Sequence, residues 1–368
     1  MAPTETPDPL GVAREVLAAY KDPWIGRALG ELGAIRGLRR EGARLVASLT
    51  LPVPVGDYRA ELEDALAAAL SAGGVREPLL LELSADIVPH AVQKQLKPLE
   101  QIRNVIAVAS GKGGVGKSTV AANLALTWAA AGARVGLLDA DIYGPSQPLM
   151  LGLTGQRPTS TDGKRIQPLL AYGVKAMSIG MLIDPDQPMV WRGPMVTQAL
   201  TQLLADTDWG ELDFLVVDMP PGTGDIQLTL AQRVPVAGAV IVTTPQDIAL
   251  ADARKGIKMF EKVAVPVLGI VENMSLHVCS QCGHAEAIFG EGGGERLAAE
   301  CHTDFLGKLP LDARIRAEAD GGRPTAVAAP DSARGRAYRD LARRTAGALA
   351  RRGRDRSSLF PKIVVEES

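Results

Sequence analysis

The stretch Gly111-Lys112-Gly113-Gly114-Val115-Gly116-Lys117-Ser118-Thr119 decides the reading of this chain. Before it stands the apolar run Val105-Ile106-Ala107-Val108-Ala109, and after it Val120 to Trp128, rich in Ala and Leu. Strand, glycine loop and helix in this order form the context of a phosphate-binding loop. Glycines let backbone N–H groups converge on phosphate oxygens at the positive end of a helix. Lys117 is placed to reach the β- and γ-phosphates, and the Ser118 hydroxyl to ligate Mg²⁺. The whole stretch Gly111 to Thr119, with Val115, forms the expected nucleotide cradle.

Two further strand ends carry carboxylates. Asp139-Ala140-Asp141-Ile142-Tyr143-Gly144-Pro145-Ser146 follows the strand candidate Val135–Leu138, and Asp218-Met-Pro-Pro-Gly-Thr-Gly-Asp225 follows Phe214–Val217. Carboxylates there can hold Mg²⁺ or orient an attacking water. Asp218 ends its strand as a Walker B carboxylate does. Gly222 and Gly224 leave the next loop free to respond to a γ-phosphate. A third strand candidate, Val267–Val271, leads to Asn273, whose amide can either read an adenine edge or close a turn.

Composition narrows the class. The 368 residues allow two or three domains. Hydrophobic residues make up 46 % and charged residues 22 %, as in a water-soluble globular protein. The net charge of −2 gives no sign of nucleic acid as a partner. No apolar run reaches the ~18 residues of a spanning helix, so no membrane partner is expected. The polar, Pro-rich start, Met-Ala-Pro-Thr-Glu-Thr-Pro-Asp-Pro, is unlike a secretory signal, and the expected location is cytoplasmic. Three cysteines do not make a disulfide scaffold.

The chain divides into five stretches. Residues 1–9 are read as a disordered N-terminus, 10–83 as a small α+β domain, and 84–104 as a linker with Pro89, Lys94, Lys97 and Pro98. Residues 105–350 are read as a doubly wound α/β domain with a mostly parallel sheet, and 351–368 as a C-terminal tail. In the first domain, Leu10, Val12, Val16, Leu17 and Tyr20 share a helix face. Arg39-Arg40-Glu41-Gly42 reads as the turn before the strand Leu45–Leu51. Tyr58 to Leu70 reads as a helix and Leu79–Leu83 as a second strand. The arginines 343, 344, 351, 352, 354 and 356 are expected on a solvated terminal helix and tail.

His277-Val-Cys279-Ser-Gln-Cys282-Gly-His284 holds a thiol pair with three readings. Two thiolates two residues apart can bind one metal centre, yet zinc and cubane clusters usually take four ligands. A symmetric dimer doubles two to four, which favours a centre bridging two subunits. A one-chain Cys₂His₂ zinc site with His277 and His284, and a redox dithiol, are the rivals. Cys301, in Ala-Glu-Cys-His-Thr, reads as an incidental, partly buried cysteine.

The form Lys-Gly-Gly-Val-Gly-Lys-Ser resembles the deviant Walker A class of P-loop ATPases, in which Lys112 would cross a dimer interface to the partner's nucleotide. It is followed in order by Asp-Ala-Asp-Ile-Tyr-Gly-Pro-Ser, Trp191-Arg-Gly-Pro-Met195, Asp-Met-Pro-Pro-Gly-Thr-Gly-Asp, Val-Glu-Asn-Met-Ser and Cys-x-x-Cys. Together these resemble the Mrp/ApbC/Nbp35 group of iron–sulfur cluster carrier ATPases, over roughly Gln101 to Ala350. The first domain is similar to MIP18-type domains, on Asp22-Pro23 and Leu29-Gly-Glu-Leu-Gly33. The cysteine that follows Leu-Thr in many such domains is absent from Leu49-Thr-Leu-Pro-Val-Pro-Val55.

The resemblance implies a P-loop ATPase fold and slow ATP hydrolysis with Lys112, Lys117 and Asp141 as the catalytic set, Asp141 orienting water. It implies Mg²⁺ on Ser118, Asp139 and Asp218, and adenine on Asn273. It implies a [4Fe-4S] cluster held between the subunits of a homodimer by Cys279 and Cys282. The cluster would come from an assembly scaffold and pass to apo iron–sulfur client proteins. A ParA/MinD-type positioning ATPase, which needs a membrane-binding tail or a DNA-binding surface, and a zinc-binding ATPase scaffold remain the alternatives.

Overall fold

A computed structural model describes residues 9–94, 96–160, 163–182, 193–279 and 281–353. Of the expected stretches, 1–8, 354–368 (with Arg354 and Arg356) and Trp191-Arg192 lie outside the described residues.

The first unit is a three-stranded sheet backed by two helices. Its elements are α1 (Pro9–Ala19), β1 (Ile35–Glu41), β2 (Arg44–Leu51), α2 (Arg59–Ala72) and β3 (Leu79–Ala85). β2 pairs antiparallel with β1 and parallel with β3. Leu62, Leu66 and Leu70 repeat every four residues on α2 and are buried. Arg39–Glu41, expected in a turn, lie in β1, and the turn falls at Gly42, which has φ 58°.

The second unit begins with β4 (Ile102–Ala109), α3 (Lys117–Ala130), β5 (Val135–Asp139), α4 (Gln147–Met150), β6 (Leu169–Ala171) and β7 (Val174–Ser178). It continues through α5 (Gly193–Asp206), β8 (Leu212–Asp218), α6 (Asp225–Arg233), β9 (Gly238–Thr243), α7 (Asp247–Lys262) and β10 (Val267–Glu272). The short hairpin β11 (His277–Val278) and β12 (Ala285–Glu286) follows, then α8 (Gly293–Glu300), β13 (Phe305–Lys308), α9 (Ala313–Asp320), α10 (Thr325–Ala328) and α11 (Ala333–Ala350).

Eight strands form one sheet in the order β13-β10-β9-β4-β8-β5-β7-β6, parallel except for β6. Parallel strands covered on both faces need apolar residues throughout, which explains the continuous apolar runs. Ile106 and Val108 of β4 join the core on one face, while Val105, Ala107 and Ala109 join the core on the other. Trp128 of α3 stacks on Phe214 of β8 at a centroid distance of 4.2 Å. β4 neighbours β8 on one side and β9 on the other, so the strand order reverses there and the loops diverge at its carboxyl end.

The two units share one apolar cluster, running from Leu17 and Leu49 to Leu341 and Leu349. Gly347 of α11 lies against Trp24, where a Cβ would stand 2.1 Å from the Trp24 carbonyl oxygen. The Arg343 guanidinium sits over Tyr58 and Trp24, 5.0 and 5.3 Å from the ring centroids, and pairs with Asp57 and Glu61. Arg351 donates to the Ile25 carbonyl at 2.9 Å. Arg343 of α11 and Arg351 just past its end, both expected in solvent, hold the first unit in place. The stretch 86–101 is also anchored: Gln93 is buried and exchanges hydrogen bonds with Ala231 and Val236.

Candidate functional site

The carboxyl ends of β4, β5 and β8 meet at one place, and the motif residues stand there. Gly114 and Gly116 have φ of 80° and 82°, left-handed values that favour glycine. Gly111 and Gly116 are also required by packing. A Cβ on Gly111 would lie 2.2 Å from the Asp252 backbone, and one on Gly116 would lie 2.2 Å from Asn273 Nδ2. Around Gly114 there is open space, so the loop presents bare backbone. α3 starts at Lys117 and adds the unpaired amides and positive end of its first turn. A cradle of this kind fits a phosphate chain.

Lys117 is buried, with Nζ 2.5 Å from Asp218 Oδ1, 3.0 Å from Ser118 Oγ and 3.8 Å from Asp141 Oδ2. The structure thus gathers the lysine, the hydroxyl and two of the three carboxylates. Lys112 is half-exposed, and among the described residues its ammonium has no ion-pair partner. Its carbonyl accepts from the Ser110 hydroxyl at 2.8 Å.

Asp139, expected on the metal side, has both oxygens occupied by the chain. Oδ1 accepts from the Asp141 amide, and Oδ2 from the amides of Ser146 and Gln147 and from the Ser178 hydroxyl, at 3.1–3.2 Å. Its place is to hold the loop that carries Asp141. Burial, with the Asp218 charge beside it, pushes Asp139 up to about 7. Burial also raises Asp141, with Lys117 opposing and Asp218 adding to the shift.

Two contributors were not foreseen. Gln147 is buried and its Nε2 donates to both Asp218 Oδ2, at 2.8 Å, and the Ser118 carbonyl, at 3.0 Å. Ser178 anchors Asp139 from β7. Gln147 directly follows the quoted Asp139–Ser146 segment, but only the fold brings it to Asp218. Asn273, expected on adenine, commits its Nδ2 to the Val115 carbonyl at 2.8 Å.

The cysteine pair lies on the β11–β12 hairpin. The turn closes with the Cys279 amide donating to the His284 carbonyl and the Gly283 amide to the Cys279 carbonyl, each at 2.9 Å. Cys279 is half-buried and Cys282 exposed. Backbone N–H groups of Cys282 and Gln281 face the Cys279 sulfur and hold its thiol below the ordinary range. His277 Nδ1 is 3.0 Å from the Leu311 carbonyl, a contact that assigns the proton to Nδ1. Among the described residues no three His, Cys, Asp or Glu side chains converge to hold a metal. Cys301 caps the end of α8, where burial raises its thiol pKa.

A P-loop is also what comparison with known proteins finds. A family model described as ParA: NUBPL iron-transfer P-loop NTPase matches residues 101–346. The chain belongs to this family of iron-transfer P-loop NTPases. An iron–sulfur cluster carrier protein of Escherichia coli (strain K12) is 51 % identical over 333 residues, covering 90 % of each chain. One of Pseudomonas fragi is 60 % identical over 263 residues, 71 % of this chain and 92 % of that relative. The iron-sulfur cluster transfer protein NUBPL of Mus musculus is 51 % identical over 271 residues, 73 % of this chain and 84 % of its own. Among solved structures, a nucleotide-binding protein of Archaeoglobus fulgidus in complex with ADP superposes with a TM-score of 0.55. It is 42 % identical and covers 61 % of this chain and 88 % of its own. The cell division ATPase MinD of Pyrococcus furiosus shares the fold, at a TM-score of 0.51 and 23 % identity over 66 % of this chain and 97 % of its own. No helix among the described residues is long and apolar enough to cross a membrane.

Proposed function

We propose that this iron–sulfur carrier family member works as a cytoplasmic homodimer that binds a [4Fe-4S] cluster between its two subunits. It passes the cluster to apo-proteins under the control of ATP binding and slow hydrolysis. The observation that carries the reading is the Cys279–Cys282 hairpin. It offers two accessible thiols, one of them held toward the thiolate, and no third ligand beside them among the described residues. A four-thiol cluster then needs a second copy of the hairpin.

In the nucleotide site, the loop 111–116 and the first turn of α3 would hold the phosphates of ATP, and Lys117 would turn from Asp218 to the β- and γ-oxygens. Ser118 and Asp218 would hold Mg²⁺, which supplies charge neutralisation when bound. Asp141 would orient the attacking water. Asp139 would act through the position of the Asp141 loop, and Asn273 through the position of the phosphate loop. Lys112, without an ion-pair partner among the described residues, would reach the nucleotide of the other subunit.

The test is anaerobic reconstitution with iron and sulfide, followed by mixing with an apo-enzyme whose activity needs a [4Fe-4S] cluster. The reading expects about four irons and four sulfides per dimer and activation of the acceptor. A protein that takes up no iron, or that holds one zinc per chain, contradicts it.

A further inference from the structure

One strand end touches both sites. Asn273 Nδ2 donates to the Val115 carbonyl inside the phosphate loop at 2.8 Å, and Gly116 packs against the same amide. The Asn273 amide is fixed in turn to the Thr243 carbonyl at the end of β9. Met274 follows with φ 56°, a left-handed value uncommon for a side chain of its size. Both the amide and the hydroxyl of Ser275 donate to the Leu309 carbonyl, at 3.0 and 3.1 Å. The Leu311 amide donates to the Leu276 carbonyl, and His277 Nδ1 donates to the Leu311 carbonyl. Two residues later stands Cys279. Residues 273–279 therefore form a strap, stitched to residues 309–311, with the phosphate loop at one end and the thiol hairpin at the other.

The strap is short and built without slack. Asn273 and Ser275 are buried. Any movement of the loop that shifts the Val115 carbonyl must break the Asn273 bond or carry Asn273 with it. A buried amide left without its acceptor is costly, so being carried is favoured. The left-handed Met274 lies where such a displacement enters the strap, and conformations of that kind persist only where the surroundings hold them.

We propose that Asn273 is a positioning residue that couples the phosphate loop to the cysteine hairpin, so that nucleotide on the loop changes the exposure of Cys279 and Cys282. The proposal rests on the carrier reading for its purpose, but its test needs no cluster.

The full chain is kept reduced and cluster-free at fixed pH. Alkylation rates of Cys279, Cys282 and Cys301 by iodoacetamide are read peptide by peptide, with and without saturating Mg-ADP or a non-hydrolysable ATP analogue. In the wild type, nucleotide should change the rates at Cys279 and Cys282 by about fivefold or more, with Cys301 unchanged as the internal reference. Asn273→Ala should bring that ratio close to one at a nucleotide concentration that its own titration shows to be saturating. His277→Leu cuts the strap at its far end, away from the nucleotide. It should also bring the ratio close to one, and it decides the matter if Asn273→Ala binds no nucleotide. A wild-type ratio kept in Asn273→Ala with nucleotide bound, or kept in His277→Leu, overturns the proposal, as does a wild type with no response. Failure of the carrier reading would show separately, as no iron uptake by the wild type.

Discussion

Lys117 Nζ lies 2.5 Å from Asp218 Oδ1, an ion pair that ties the first turn of α3 to the end of β8. Both side chains are buried, so the pair is little screened by salt. The phosphates of a nucleotide would compete with Asp218 for the same ammonium. Lys117→Ala should lower ATP turnover about a hundredfold or more, because the phosphate charge loses its main cation. Breaking a buried pair also costs about 3–5 kcal/mol of stability, so melting temperature is measured alongside. Wild-type hydrolysis by a folded Lys117→Ala variant would contradict the nucleotide-site assignment.

Lys112→Ala should retain nucleotide binding and lose hydrolysis, since its ammonium has no acidic partner in its own chain among the described residues. Mixing it with Lys117→Ala subunits checks the role across the dimer. Recovery of part of the turnover in mixed dimers is expected. No recovery at any ratio would count against a role in trans.

Asp141→Asn should slow hydrolysis about a hundredfold while changing nucleotide affinity little, because a neutral amide is a poor partner for an attacking water. Single-turnover rates and equilibrium titration separate the two. An equal loss in both would place Asp141 in metal or phosphate binding instead.

Asp139 gives a pH dependence with a definite sign. Burial and the Asp218 charge push its folded pKa up to about 7, above the ordinary aspartate value of about 3.9. Between these values the folded chain binds a proton that the unfolded chain has released, so this group's contribution is full below about pH 4 and is lost as pH rises to about 7. Asp139→Asn removes that dependence. The stability of the variant relative to the wild type should therefore rise as pH goes from 5 to about 8, because only the wild type must ionise a buried carboxyl. Thermal melts across this range check it, and a relative stability that falls with pH would contradict the assignment.

The parts of the fold that were legible in the sequence are those buried on both faces. β4, β5, β8, β9 and β10 are continuous apolar runs, and only a parallel central sheet asks for them. β1 was not legible. As an edge strand, its Arg39 and Arg40 face outward to Glu82 and Glu77, and the charged run looks like a turn. The β6–β7 hairpin hid because its strands are short and its turn uses Tyr172 at φ 50° beside Gly173. In the site, the glycine loop and the strand-end carboxylates announced themselves by spacing. The work of Gln147 and Asn273 did not, because it depends on partners far along the chain. Asn273 and Val115 are 158 residues apart, and no local pattern marks such a pair. Arg343 was misread for the same reason, since Asp57, Tyr58 and Glu61 reach it only after the first unit docks on α11.

The sharing of one cluster by Cys279 and Cys282 of two chains is read most directly as iron, sulfide and mass in solution under anaerobic conditions. The measurement compares the wild type with Cys279→Ala, Cys282→Ala and Cys301→Ala. Each change in the hairpin removes two of four thiolates at a two-fold site, so both variants should lose the cluster and the mass it holds together. Cys301→Ala, just past the end of α8 at a thiol whose pKa burial raises, should keep about four irons per dimer. A chain lacking both Cys279 and Cys282 that still binds about four irons per dimer would contradict the account.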